Sequence, residues 1–459
     1  MNKKILKMLY LIKKSIYIIK NEGIKIFFKK IYLYFRPFSE TKIKKEKLII
    51  PILVNEFNII DDKVSVIIPT KNAGNDFQFL LNKIKIQKNL KEIEIIIIDS
   101  GSNDNTLEIG KKYTNLIFSI PPEEFNHSKT RNIAAQKATG NYLLFLTQDV
   151  IPISEYMIYD MLKISKSDSK ISIITCRQIP RSDSDLMAIY MHYSFYKTID
   201  IYNDLIVSSN NLNQLSPIQK RKISQTTNTC SLINKNLFMN YKFYNDYAED
   251  LNLSLRLLRD GYKICYLYSH AVIHSHNRDC LYYFKANYKD RKFIVPLLGI
   301  KTFDWNLYDI NLVIKSTIIF YNICKLLIKK YNLEILIEKM RNLFYENFNL
   351  KELIISNQDN IEKLFYNIDI NYFIINNNLK IEPNIINILL NNFYNNIINF
   401  KEFLSIYGIV GKDELENTIL KICASVIGTV LGDYYCYLKE HNLLSNDIIN
   451  LDKIISRGI

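Results

Sequence analysis

The seven cysteines, Cys176, Cys230, Cys265, Cys280, Cys324, Cys423 and Cys436, include no C-x-x-C pair, and their number is odd. That scatter excludes a disulfide frame or a zinc ribbon and predicts reduced thiols in a cytosol. The chain also lacks G-x-G-x-x-G and G-x-x-x-x-G-K-[ST], so neither a dinucleotide fingerprint nor a P-loop is available to hold phosphate. No charge-free apolar run approaches the length of a bilayer span. The best candidate, "ICASVIGTVLG" at residues 422–432, is short and bounded by Lys421 and Asp433. The opening "MNKKILKMLYLIKKSIYIIK" begins like a signal peptide, yet Lys13 and Lys14 interrupt it and no small-residue cleavage site follows. No export signal is expected.

What is present is a chain of 459 residues with 48% hydrophobic and 23% charged content, typical of globular proteins and too long for one ordinary core. The net charge of +14 is uneven, because residues 1–50 carry 14 Lys/Arg against 3 Asp/Glu, or +11. A uniformly basic surface would suggest nucleic acid. A basic arm rich in Ile, Leu, Tyr and Phe suggests an anionic membrane surface instead, the plainer alternative being a helix packed on the protein itself. Three regions follow: a basic amphipathic extension at 1–60, an alternating region at 61–300, and a helical region at 301–459 that is low in Gly and Pro.

In the middle region short β-branched runs at 64–69, 93–99, 116–120 and 142–147 read as strands buried on both faces. Helices fit between them, at 75–88 and 128–138, which predicts an α/β fold with a mostly parallel sheet. Ligands of such sheets bind beyond the carboxyl ends of the strands, where Asp99 and Asp149 fall. Asp99 is either a turn acid or an acceptor for the ring N–H of uracil or thymine. "FNHSKTRN" puts His127, Lys129 and Arg131 at a helix start, a solvated end or a phosphate fork. Asp149, ending "YLLFLTQD", is a candidate divalent-cation ligand that needs partners from elsewhere. The acids Glu249 and Asp250 begin a helix that Gly261 stops; the helix dipole alone explains acids there, and it also keeps a general base ionised. "VIHSH" puts His274 and His276 on one side of a strand, as a source of an imidazole ligand.

Taken in order, "VSVIIPTKN", "IIIIDSGSNDNT", "TRNIAAQKATGNYLLFLTQD", "AEDLNLSLRLLRDGYK" and "VIHSH" resemble the catalytic domain of glycosyltransferase family 2, of the nucleotide-binding GT-A fold. "FNHSKTRN" with "FLTQDV" looks most like its rhamnosyltransferase branch. The resemblance covers about residues 63–290 and implies an inverting transfer from a dTDP- or UDP-sugar to a surface glycan or lipid-linked acceptor, with Mg²⁺ or Mn²⁺ as cofactor. It implies a nucleotide pocket of Pro69, Thr70, Asn72, Asp99, Ser100, His127, Arg131 and Gln148. It further implies Asp250 of the Glu249–Asp250 pair as base, and Asp149 with His274 or His276 on the metal. The implied location is peripheral, at the inner face of a bacterial membrane.

Two departures from the family pattern stand out. Lys71 replaces the aromatic that usually follows "IPT", and Thr147 replaces the first acid of the metal-binding D-x-D. Two rival readings are another metal-dependent nucleotide-using transferase, which would carry more carboxylates at strand ends, and a catalytically impaired scaffold in a membrane-associated assembly.

Overall fold

A computed structural model describes residues 43–47 and 59–457, except 304, 306–307 and 339–382. The basic extension expected at 1–60 lies almost wholly outside the described residues. Its one described strand, β1 (Ile43–Lys47), pairs antiparallel with β8 (Leu205–Ser209).

The chain then alternates as the pattern predicts: β2 (Val64–Thr70), α1 (Asp76–Lys85), β3 (Ile93–Asp99), α2 (Thr106–Lys111), β4 (Ile117–Ser119), α3 (His127–Lys137), β5 (Tyr142–Leu146) and β6 (Ile151–Pro152). There follow α4 (Met157–Ser167), β7 (Ile171–Ile179), α5 (Leu186–Ile199), α6 (Pro217–Ser224), β9 (Cys230–Asn234), α7 (Lys235–Tyr241), α8 (Glu249–Arg259) and β10 (Lys263–Ile273). The sheet runs β1-β8-β10-β7-β9-β5-β2-β3-β4, with β6 on β10. It is parallel across β5-β2-β3-β4 and between β7 and β10, but β9 lies antiparallel between β5 and β7, and β8 antiparallel on β10. The sheet is therefore mixed, with its parallel half carrying the strand ends of interest.

Helices cover both faces, which is why the central strands are unbroken apolar runs. On one face Phe77, Leu80, Leu81 and Ile84 of α1 and Met157, Met161 and Leu162 of α4 meet Val66, Ile68 and Leu144. On the other, Ala134 and Ala135 of α3, Phe238 of α7 and Leu253 and Leu257 of α8 meet Ile67, Phe145 and Ile233.

Beyond the sheet come α9 (Cys280–Leu298), α10 (Ile310–Lys330), α11 (Pro383–Tyr407), α12 (Lys412–Glu440) and α13 (Asn446–Ser456). They share a core with Leu186, Met187 and Tyr190 of α5, so the helical region is seated on the sheet region through α5 and α9. Although neither contains a charge-free run of that length, α10 and α12 are both long and apolar enough to cross a bilayer by length and composition. Most of each apolar window is buried in the bundle, 61% and 78% respectively, which is the position of a core helix. The stretch at 422–432 is the middle of α12, and charges that bound it in sequence are absorbed by partners. Lys421 meets Asp185 at 2.6 Å, and Asp433 accepts from Arg291 and from the Phe303 backbone.

Candidate active site

Asp149 stands just past the end of β5, and the two-residue ladder between β6 and the end of β10 draws the chain after Ile273 alongside it. His274 and His276 fall in that following segment and not within a strand, because β10 ends at Ile273. They still reach the same carboxylate. His274 Nε2 lies 3.5 Å from one Asp149 oxygen and His276 Nε2 2.9 Å from the other, the imidazoles being 4.9 Å apart and edge to face. Among the described residues this is the one grouping of three or more His, Cys, Asp or Glu ligand atoms suited to a metal ion. Burial disfavours charge on Asp149, but hydrogen bonds from His274 and His276 outweigh it and hold the carboxyl well below the usual carboxylate range.

A second layer fixes His274. Its Nδ1 is 2.8 Å from Gln178 Oε1, and Gln178 Nε2 donates to Thr227 Oγ1 at 3.2 Å, so the amide's oxygen is the end turned to the ring. Gln178 thereby accepts from Nδ1–H, fixes the ring and turns Nε2 toward Asp149 and the point where an ion would sit. His192 of α5 stands beside this pair and is held neutral by burial, at about 4.

The loop before β9 carries the connection to the acid pair. Next to Thr227, Asn228 donates its backbone N–H to Asp250 Oδ2 at 3.2 Å and its side-chain amide to Glu249 Oε1 at 2.8 Å. Asp250 Oδ1 also accepts from the Leu251 N–H at 2.7 Å. Burial, then the neighbouring Glu249 charge, raise Asp250 to about 7 against those bonds. The two acids divide their roles. Asp250 is half-buried and reachable, whereas Glu249 is buried and faces the Arg131 guanidinium at 3.4 Å.

Arg131 is consequently not the open phosphate fork expected at this helix start. It is buried, one NH1 serving both the His127 carbonyl and Glu249, with Nε unpartnered. His127 is held neutral by burial, at about 4 despite the pull of Glu249, and packs edge-on to Phe125 and Tyr247. The segment entering α8 is pinned to α3 by the Asn126–Asp246 and Ser128–Asn245 hydrogen bonds. It ends on Ala248 at φ 54°, a conformation that costs a residue with a Cβ and persists only when its surroundings enforce it.

The nucleotide-side residues form a loop scaffold. Asp99 is buried, and its carboxylate takes four donors: Thr70 Oγ1, the N–H groups of Gly101 and Ser102, and Ser102 Oγ. That fills a carboxylate's acceptor sites, so Asp99 shapes the turn and is not a free acceptor for a base N–H. Ser100 is buried and bonds the Thr70 carbonyl through its N–H and its hydroxyl. Asn72, at φ 49°, clasps the same turn through its own N–H to Ser102 Oγ and through Oδ1 from the Asn103 N–H. Gln148 bonds both backbone groups of Lys71, at 2.7 and 3.1 Å, tying the end of β5 to the end of β2. Pro69 is half-buried within β2. In the slot of the missing acid, Thr147 Oγ1 is buried without a hydrogen-bond partner. Sequence reading missed Gln178, Thr227 and Asn228, whose partners are distant in the chain.

Three side chains able to hold a metal ion and a half-buried acid thus lie beyond the strand ends of an α/β sheet, where such sheets bind ligands. The profile described as "Glycosyl transferase family 2" matches residues 65–242. The chain is 32% identical over 221 residues to the O-antigen chain rhamnosyltransferase WbaN of Salmonella anatum, spanning 46% of this chain and 66% of that protein. It is 30% identical over 222 residues to the O-antigen chain rhamnosyltransferase RfbN of Salmonella typhimurium, spanning 47% and 67%. The match thus spans about two thirds of the length of these relatives. The chain belongs to glycosyl transferase family 2, and within it is similar to the O-antigen rhamnosyltransferases. Among solved structures, TarS 1–349 of S. aureus aligns at TM-score 0.36 with 18% identity, over 51% of this chain and 65% of that one. The mannosyltransferase PcManGT of Pyrobaculum calidifontis, in complex with GDP-Man and Mn²⁺, aligns at 0.39 with 15% identity, over 52% and 63%.

Proposed function

We propose that this protein is an inverting, divalent-metal-dependent glycosyltransferase that moves a hexose from a dTDP- or UDP-sugar to a hydroxyl of a bacterial surface glycan or lipid-linked acceptor. Its relatives make rhamnose the first sugar to try. The observation that carries the reading is the meeting of Asp149, His274 and His276 at one point, joined through Gln178, Thr227 and Asn228 to the Asp250 carboxylate.

The donor set, one ionised carboxylate with two imidazoles, fits a divalent cation and favours Mn²⁺ over the harder Mg²⁺. Asp149, His274 and His276 would hold that ion, whose positive charge would offset the charge that builds on the departing diphosphate. Asp250 takes the proton of the acceptor hydroxyl as that oxygen bonds to the anomeric carbon. The bond from that carbon to the diphosphate oxygen breaks in the same step, its electron pair leaving with the nucleotide, so the anomeric configuration inverts. Glu249 is bound to Arg131 and Asn228 and serves to set the ionisation of Asp250, not to form a covalent sugar intermediate. Asp99, Asn72 and Gln148 hold the turns at 71–74 and 99–104 that would receive the base and ribose. The basic arm at residues 1–50 would place the enzyme at the anionic inner face of the cell membrane.

Calorimetric titration of Mn²⁺ followed by dTDP or UDP tests the site. Asp149→Ala is expected to weaken Mn²⁺ binding at least tenfold and to remove the metal-dependent part of nucleotide affinity. Equal affinity in Asp149→Ala and the wild type would overturn the metal assignment.

A further inference from the structure

A second cavity lies on the seam where α5, α6 and α9 meet α11 and α12, with a volume of about 310 Å³. That is the lower end of the range for small-molecule sites. Its chemistry is defined by Asp290 of α9. This carboxylate has no hydrogen bond among the described residues, and its one ion-pair partner there, Arg221, stands 4.0 Å away. Its side chain is 39% accessible although helices pack around it, and that accessible part lines the cavity. Burial favours its protonated form, and the Arg221 and Arg291 guanidiniums pull the other way.

The remaining polar lining combines the Arg221 and Arg291 guanidiniums, which only donate, with hydroxyls and amides that are partly committed to their own helices. Ser425 and Thr429 of α12 donate their hydroxyl hydrogens to carbonyls one turn back, those of Lys421 and Ser425. Asn287 and Asn396 each give an amide hydrogen to their own helix, to the carbonyls of Tyr283 and Asn392. These groups keep the acceptor capacity of two hydroxyl oxygens and two amide oxygens, and each amide keeps one N–H donor, beside the Asp290 carboxylate. The ligand that satisfies such a mixed lining carries several groups that both donate and accept, as hydroxyls do. A polycation is disfavoured by the two guanidiniums near Asp290. Met187, Met191 and Phe195 add apolar wall on the other side. Many hydroxyl donors together with an apolar C–H face describe a pyranose ring.

We propose that this seam cavity binds one sugar unit of a glycan, as a site separate from the donor and metal site. It draws residues from both the sheet region and the helical region, so an occupant braces one against the other. The proposal does not rest on the nucleotide site, and it is tested without nucleotide. Saturation-transfer NMR and calorimetry on the full chain would use L-rhamnose, D-mannose, D-galactose and N-acetylglucosamine, with spermidine as the cationic control. Expected is binding of at least one of these sugars that weakens at least tenfold in Asp290→Asn. Met191→Trp, at the 38% exposed mouth, should weaken it as much, and Asp149→Ala should leave it unchanged. Melting temperatures of the variants confirm that each is folded. The proposal is overturned if no sugar of the panel binds, if spermidine binds instead, or if Asp149→Ala abolishes binding while Asp290→Asn retains it.

Discussion

In the proposed mechanism Asp250 is the residue on which the chemistry turns, and its surroundings give a titration that can be measured. Burial and the Glu249 charge raise it to about 7, and a base works only when deprotonated. The sign is therefore fixed: kcat/KM should rise with pH through about 7 and level off above it. A pH–rate profile that is already flat down to pH 5 would show that another group takes the proton. At this scale the sequence was legible where a residue's partners share its motif. Asp149 and the two histidines were readable because a strand end and an H-x-H bring few alternatives. Asp99 and Arg131 were readable only as ligand-facing candidates, because nothing in "IIIIDSGSND" states that Thr70, Gly101 and Ser102 fill the carboxylate. Nor does "HSKTRN" state that Glu249, 118 positions away, is the partner of Arg131. Gln178 was invisible for the same reason, since its meaning comes from His274 and Thr227, which are distant in sequence.

Among the elements, α12 packs most closely against its neighbour. A Cβ on Gly428 would sit 2.1 Å from the Phe284 carbonyl oxygen, and one on Gly432 would sit 2.6 Å from that of Tyr288. The four-residue spacing puts both glycines on one face, where α12 lies backbone to backbone on α9. Backbone cannot yield as a flexible side chain can, so Gly428→Val should destabilise the protein by about 3 kcal/mol or more, read as a lowered urea midpoint. A midpoint within error of the wild type would show that the two helices are not in this contact. Periodicity gave the four strands of the parallel half and the two helices placed between them, α1 and α3, to within three residues at each end, since two-sided burial leaves unbroken apolar runs. It did not give the antiparallel β9, whose place between β5 and β7 is a matter of long-range pairing. Nor could periodicity separate a buried core helix from a membrane span in α10 and α12, because composition is the same for both.

For the whole molecule, the sheet region holds the proposed reaction site and the helical region extends that region along α5 and α9. The core that joins them contains residues from both, so the bundle is a part of the folded unit that the family motifs do not cover. The charge distribution adds a third part. With +11 of the net +14 in residues 1–50, deleting that arm should markedly reduce cosedimentation with anionic liposomes at 0.1 M salt and leave binding to neutral liposomes unchanged. Cosedimentation that does not change on deletion would contradict a membrane role for the arm.

The central claim is that a nucleotide-sugar is bound and broken here with Asp250 as base. It is tested most directly by nucleotide release from a panel of dTDP- and UDP-sugars, with and without Mn²⁺ or Mg²⁺, in the wild type and in Asp250→Asn. The account predicts metal-dependent release by the wild type and a loss of at least 100-fold in Asp250→Asn, with nucleotide affinity retained. Release by Asp250→Asn at the wild-type rate, or no nucleotide bound or released by the wild type under any condition, would contradict it.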